Sequence, residues 1–306
     1  MEGLIKEKRR ILVIGGVNMD IGGRITNRMV MRDSNPGVIT ARPGGVGRNI
    51  AHNLRLLGMD VSLIAGIGGD MYAHGIIESC RALGLDLSMA RILPEERSSA
   101  YLYIADEEGD MQLAISDMDI TRRIDAEYLH QHIRQINGFD AVVLDANLQP
   151  ETLQYLAEHC SRPLYADAVS SVKALRLQGI LSHLTAIKPN AIEAQALTGE
   201  CDMEQAAEKL LAYGVKRVFI SLGAKGLLAA ENGKMFHLPC ESVPVDNTTG
   251  AGDSATAAIV WADCLGLSLE LTAAAAVKAG ALTCMSADAN CETLSELPAL
   301  LQKYIL

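Results

Sequence analysis

Short apolar runs rich in β-branched residues recur along this chain, and stretches with helical spacing separate them. Residues 11–17, 61–65, 141–145, 163–167, 184–187 and 217–221 have strand length and are dominated by apolar side chains, as strands buried on both faces require. Between them, residues 48–57, 73–83, 126–136, 150–159, 191–197 and 203–212 space their apolar side chains for one face of a helix. Regular alternation of strand and helix implies right-handed crossovers, and hence a mainly parallel sheet covered by helices. The expected class is α/β.

Two segments interrupt the alternation. Residues 18–42 are polar and carry Asp33-Ser34-Asn35-Pro36-Gly37, while residues 99–105 and 111–116 read as two strands joined by a Glu107-Glu108-Gly109-Asp110 turn. Together, residues 18–42 and 98–116 could make a small β-lid. From Gly252 onward the chain is Ala-rich, with helices expected at residues 255–265, 267–285 and 294–304. No repeat or low-complexity linker divides it, so residues 1–306 are read as one domain.

Charge narrows the partners. The chain has 37 acidic against 27 basic side chains, a formal net charge of −10, which disfavours a nucleic-acid groove lined by Lys and Arg. A small phosphate ligand stays open, because backbone N–H groups and one or two local cations can hold it. Seven cysteines with no CxxC pair point to reduced thiols in a cytoplasmic protein, without a zinc site. The apolar stretch at residues 11–17 is too short and Gly-rich for a signal peptide or membrane span.

The run Asn247-Thr248-Thr249-Gly250-Ala251-Gly252-Asp253 precedes an apolar helix. Small residues there let the backbone turn tightly and present successive N–H groups to an anion. An ordinary Asp titrates near ~4. Asp253 therefore needs no upward tuning to accept a proton from an attacking hydroxyl. The same residues also describe a plain glycine turn whose Asp is a helix-start charge. A second cluster, Pro43-Gly44-Gly45-Val46-Gly47-Arg48-Asn49, leads into another helix, and Asn49 offers a donor and an acceptor to a polyol. Neither cluster fits the dinucleotide-binding or P-loop pattern. Counting GxGxxG from Gly45 puts Ile50 where the third small residue belongs, and no GxxxxGK[ST] occurs.

Residues Gly44 to Ala51, through Gly58, resemble the first signature of the PfkB or ribokinase-like carbohydrate kinases, and residues Asn247 to Asp253 resemble the second. Asn18-Met19-Asp20, Lys188-Pro189-Asn190 with Glu193, and Ser221-Leu222-Gly223-Ala224-Lys225-Gly226 fall in the family's order, so the resemblance spans nearly the whole chain. Asp33 to Gly37, together with Gly68-Gly69-Asp70 and Ile115 to Ile120, is similar to the bacterial pseudouridine kinases.

The resemblance implies a three-layer α/β/α ribokinase-like fold with a β-lid, and an ATP-dependent phosphotransferase with an alcohol acceptor. The acceptor implied is the ribose 5′-hydroxyl of pseudouridine; inosine, adenosine, ribose and fructose are the alternatives, and a non-catalytic nucleoside-binding regulator is a further one. Asp253 would be the base, and Gly250, Ala251 and Gly252 would form an anion hole beside Thr249. Asn18, Asp20, Gly44, Gly45 and Asn49 would hold the sugar, with Ser34 and Asn35 reading the base from the lid. Asn190, Ser221, Gly223, Gly226 and Thr249 would lie along the nucleotide. Asn190 and Glu193 would orient Mg²⁺ through water, although their spacing equally makes a helix capping box. The second signature more often begins with Asp than with Asn247, beside the family's monovalent-cation loop, which leaves K⁺ open. A dimer clasped through the lid is also expected.

Overall fold

The computed structural model describes residues 8–301. In chain order the strands are β1 (Arg10–Ile14), β2 (Asn18–Ile25), β3 (Gly37–Gly44), β4 (Asp60–Ile64), β5 (Gly66–Gly68), β6 (Arg91–Leu93), β7 (Ala100–Ala105), β8 (Met111–Asp117), β9 (Ala141–Asp145), β10 (Leu164–Asp167), β11 (Leu184–Lys188), β12 (Arg217–Ser221), β13 (Leu227–Glu231) and β14 (Lys234–Leu238). The helices are α1 (Val46–Leu56), α2 (Met71–Ala82), α3 (Ala126–Ile136), α4 (Pro150–His159), α5 (Ser171–Ala174), α6 (Ala191–Thr198), α7 (Met203–Ala212), α8 (Ala251–Cys264), α9 (Leu269–Cys284) and α10 (Leu297–Leu301). Among the described residues, no helix is long and apolar enough to cross a membrane.

Eight strands form one sheet in the order β14-β13-β12-β11-β10-β9-β1-β4. From β12 to β4 every pairing is parallel, and β13 and β14 add an antiparallel hairpin at the edge. The apolar runs make both faces of this sheet hydrophobic. On β1, Ile11 and Val13 pack with α1, α2, α8 and α9, while Leu12 and Ile14 pack with α3, α4, α6 and α7. Covering both faces with helices gives three layers, α/β/α. The final helix is shorter than its apolar pattern: a 3₁₀ turn at Glu292–Glu296 leads into α10, and residues 302–304 lie outside the described residues.

A second sheet, β3-β2-β7-β8, stands apart from the first. Asp20 and Tyr101 share one of its faces, and Gly22 makes room there for the Tyr103 ring. Ile21, Ile39, Leu102, Leu113 and Ile115 share the other, as the pairing register requires. This sheet is the lid.

The chain leaves β1 for β4 on one side and later returns to β9 on the other. That reversal opens a crevice outside the C-terminal ends of β1 and β9, the place where open α/β sheets bind ligands.

Candidate active site

Charged groups gather at the C-terminal ends of the central strands. Asp145, the last residue of β9, is wholly buried, and its carboxylate accepts from the backbone N–H of Gly16 at 2.8 Å and of Asn147 at 2.9 Å. A side chain at Gly15 would collide with that carboxylate, which explains the glycine after β1. Asp167, at the end of β10, accepts from the Thr256 hydroxyl at 2.6 Å and the Val169 N–H at 2.9 Å, and its Oδ2 lies 3.2 Å from Lys188 Nζ at the end of β11. Burial is the largest single influence on the Lys188 ammonium and works against its charge. The carboxylates of Asp167, Glu193 and Asp253 together nevertheless raise its proton affinity above that of an ordinary lysine.

The Gly-rich turn sits above these groups. Gly250 has φ +82°, and α8 begins at Ala251, so Asp253 stands in its first turn. Ser254 N–H is the first to reach a helix-type acceptor, the Gly250 carbonyl at 2.9 Å, which leaves the N–H groups just before it without helical partners. Thr249 N–H donates to Asn247 Oδ1 at 2.9 Å, and Asn247 Nδ2 donates to the Ala287 carbonyl at 3.2 Å. The segment after α9 thus braces the turn from outside.

Asp253 is half-buried and accepts from the Asn49 amide at 2.9 Å. Burial, followed by the charge of Asp167 and then that of Asp145, raises its pKa to about 7, while Asn49 and Lys188 oppose the rise. Asn49 reaches it from the first turns of α1, which starts directly after two glycines. Gly45, at φ +102°, lies so close to the Gly16 carbonyl and Asn18 that a side chain would not fit, and one at Gly44 would meet the Asp20 carboxylate. Asn18 Nδ2 donates to Asp20 Oδ1 at 2.5 Å. Burial raises the Asp20 pKa, against the Asn18 hydrogen bond and the charge of Arg48. Asn53 donates to the Ser254 hydroxyl at 3.0 Å, and Asn290 donates to Asn53 Oδ1 at 3.1 Å and to the Asn49 carbonyl at 3.3 Å. Two polar side chains of α1 therefore fix the start of α8.

A carboxylate of raised basicity, a glycine turn at a helix start in which only the Ala251 N–H has a backbone acceptor, the Thr248 carbonyl at 3.4 Å, and the polar side chain of Asn49 lie together at one end of the sheet. The sequence model of pfkB family carbohydrate kinases matches residues 8–294. The chain belongs to the pfkB family. The pseudouridine kinase of Escherichia coli (strain K12) is 33% identical, over 92% of this chain and 92% of its own length. The guanosine-inosine kinase of Exiguobacterium acetylicum is 28% identical, over 82% of this chain and 86% of its own. Among solved structures, Arabidopsis thaliana ribokinase, complexed with ribose and ATP, superposes with a TM-score of 0.86 at 22% identity, covering 97% of this chain and 99% of that one. The fold is ribokinase-like, and the family makes this protein an ATP-using kinase of a small sugar or nucleoside.

In this pfkB kinase, Asn18, Asp20, Gly44 and Gly45 are mutual neighbours at the start of α1, and Asn49 of that helix is the one among these predicted sugar-side residues that bonds Asp253. Asn190 and Glu193 form a reciprocal capping box on α6: Glu193 N–H donates to Asn190 Oδ1 at 2.9 Å, and Asn190 N–H to Glu193 Oε2 at 2.8 Å. Ser221 ends β12 and bridges to Asn190. Gly223 and Gly226 take positive φ in the following turn, where a side chain on Gly226 would strike the Leu238 carbonyl. Thr249 is exposed at the rim. Ser34 and Asn35 are not brought to Asp253 by any contact: Ser34 is exposed and Asn35 half-buried in the β2–β3 loop, where the Asn35 amide bonds Val30 N–H and the carbonyls of Val30 and Asp33.

Asp145, Asp167, Lys188 and Asn290 were not assigned roles from sequence. Asp145 and Asp167 did carry a signal, since each is a charged residue closing an apolar run at the ligand-binding end of a parallel strand.

Proposed function

We propose that this kinase transfers the γ-phosphoryl of ATP to the 5′-hydroxyl of pseudouridine. The Asn49–Asp253 hydrogen bond carries the reading, because it joins the sugar-side residues to the base. Asp253 takes the proton as the 5′-oxygen attacks the γ-phosphorus, and the bond to the β-phosphate oxygen breaks to release ADP. The N–H groups of the Gly250-Ala251-Gly252 turn face the charge that develops on the migrating group, in a reaction dominated by positioning and electrostatics. Asp20 accepts from ribose hydroxyls, with Asn18 and Asn49 beside it. Ser34 and Asn35 stand on the loop that would have to approach the nucleobase for the lid to read it.

Bound with ATP, Mg²⁺ would supply charge neutralisation at the phosphates. The capping box occupies only one oxygen of the Glu193 carboxylate, so Glu193 and Asn190 fit an ion held through its own waters. Asn247 brings no charge to a monovalent-cation site. Its neutral amide points an N–H at the Ala287 carbonyl, and the Thr249 N–H on Oδ1 fixes that orientation. Adenine has room in a cavity of about 240 Å³ between Leu238–Glu241 and the Ala274, Val277, Lys278 and Ala281 side of α9. The turn that ends at Gly226 leans on its rim.

Support for pseudouridine over other acceptors comes from the 33% identity across 92% of both chains, set against 28% over 82% for the guanosine-inosine kinase. ATP consumption should be measured with pseudouridine, uridine, inosine, guanosine, adenosine, ribose and fructose. Pseudouridine is expected to give the highest kcat/KM, by about tenfold or more over inosine. A preference for ribose or a purine nucleoside removes the pseudouridine reading, and nucleoside binding without turnover removes the kinase reading.

The lid's outer face supports a dimer. Ile39, Leu113 and Ile115 are 79%, 57% and 58% exposed there, on a sheet whose opposite face carries Asp20. Apolar patches of this kind mark interaction surfaces. A twofold mass in solution, reduced to a monomer by Ile39→Glu, is expected; a monomeric native mass would count against the clasp.

A further inference from the structure

Lys188 stands where a lysine is hard to accommodate. It is 5% exposed, and its neighbour Asp167 is 3% exposed. Removing both charges from water carries a desolvation penalty that their attraction often fails to offset, and apolar residues of similar volume commonly replace such pairs without loss. Packing alone therefore gives no reason for the pair.

Its placement does. Lys188 Nζ lies 3.1 Å from the point where a Gly252 side chain would project, so the ammonium sits directly beneath the Gly-rich turn. Asp167 cannot draw it away, because Oδ2 also accepts from Thr256 on α8 and Oδ1 accepts from Val169 N–H. The charged and polar groups that act on Asp253 come from each element packed against it: Asn49 of α1, Asp145 of β9, Asp167 of β10 and Lys188 of β11. Lys188 is the one cation among them.

We infer that Lys188 is a positioning residue of phosphoryl transfer: its ammonium, anchored by Asp167, supplies the positive potential beneath Gly252 that favours both the anion in the turn and the ionised Asp253. This rests on Asp253 acting as the base. Without Lys188, the carboxylate would face Asp145 and Asp167 with only the Asn49 amide to stabilise its charge. Without the Asp167 charge, it would ionise more easily.

The test is the pH dependence of kcat, with acceptor KM and melting temperature, for Lys188→Met, Lys188→Arg and Asp167→Asn. Lys188→Met should lower kcat by about 10- to 100-fold with little change in KM, and move the acid limb of the profile to higher pH. Lys188→Arg should restore the limb toward its native position. Asp167→Asn should move it to lower pH, and this variant together with Lys188→Arg decides the matter if Lys188→Met does not fold. Losses that follow melting temperature alone, with the limb unmoved in every folded variant, overturn the inference. If the native enzyme lacks an acid limb, or Asp253→Asn stays active, the base assignment itself has failed.

Discussion

Asp253→Asn is expected to lower kcat by about 10²–10⁴-fold while leaving acceptor KM within about threefold. The substitution keeps the size of the side chain and an oxygen to accept from Asn49, so the junction of α1 and α8 survives. What it removes is the proton acceptor. The sequence alone suggested an untuned aspartate, fully ionised at neutral pH; its surroundings instead raise its pKa to about 7, first through burial and then through Asp167. A base of that strength matches the operating pH and accepts a proton more readily than a carboxylate titrating near ~4. Native kcat should therefore rise with pH through about 7 and level off above it, and the residual activity of Asp253→Asn should lack that limb.

Stability supplies a second readout of opposite sign. A carboxyl with a raised native pKa binds its proton more tightly folded than unfolded. The resulting stabilisation is full below the unfolded pKa and is lost as pH climbs through about 7. At pH 8 the native enzyme holds an ionised carboxylate in a site that disfavours it. Asp253→Asn should then melt higher than the native protein while being far less active, the expected trade-off at a site built for chemistry. A melting temperature at or below native would show that the surroundings do not disfavour the charge.

Much of this was legible in the sequence, for reasons that residue patterns make plain. The runs at residues 141–145 and 217–221 are β9 and β12 to the residue, because buried parallel strands need continuous apolar side chains. The hairpin was not legible: β13 reads Leu-Leu-Ala-Ala-Glu, all good helix formers, and its pairing with β12 overrides that propensity. Within the site, the glycine clusters announced themselves through positions where a side chain cannot fit, as at Gly45 and Gly250. Lys188 and Asp167 did not, because their meaning depends on two strands and a helix distant in sequence meeting at one point. Asn190 and Glu193 show the reverse limit, since one spacing served both a capping box and a hydrated ion, and the capping box is present.

Gly250→Ala should be nearly as damaging as loss of the base, by a different route. At φ +82° an alanine is strained by about 1–2 kcal/mol, and its methyl group would also be driven into the backbone carbonyl of Ala289. That carbonyl belongs to the segment whose Ala287 accepts from Asn247 and whose Asn290 bonds Asn49 and Asn53. Relief of the clash must move either this segment or the turn, and both hold the site. We expect kcat to fall by about 10²-fold or more, the magnitude associated with losing an anion-hole donor, together with a lower melting temperature. Gly58→Ala separates the two causes, because Gly58 has φ +84° with no atom within 4 Å of an added side chain. It carries the backbone strain without the collision, so it should lose a comparable part of the stability and keep its kcat. Equal kcat in the two variants would mean that the Gly250 turn does not stabilise the migrating phosphoryl, and would leave Asp253 as a base without an anion hole.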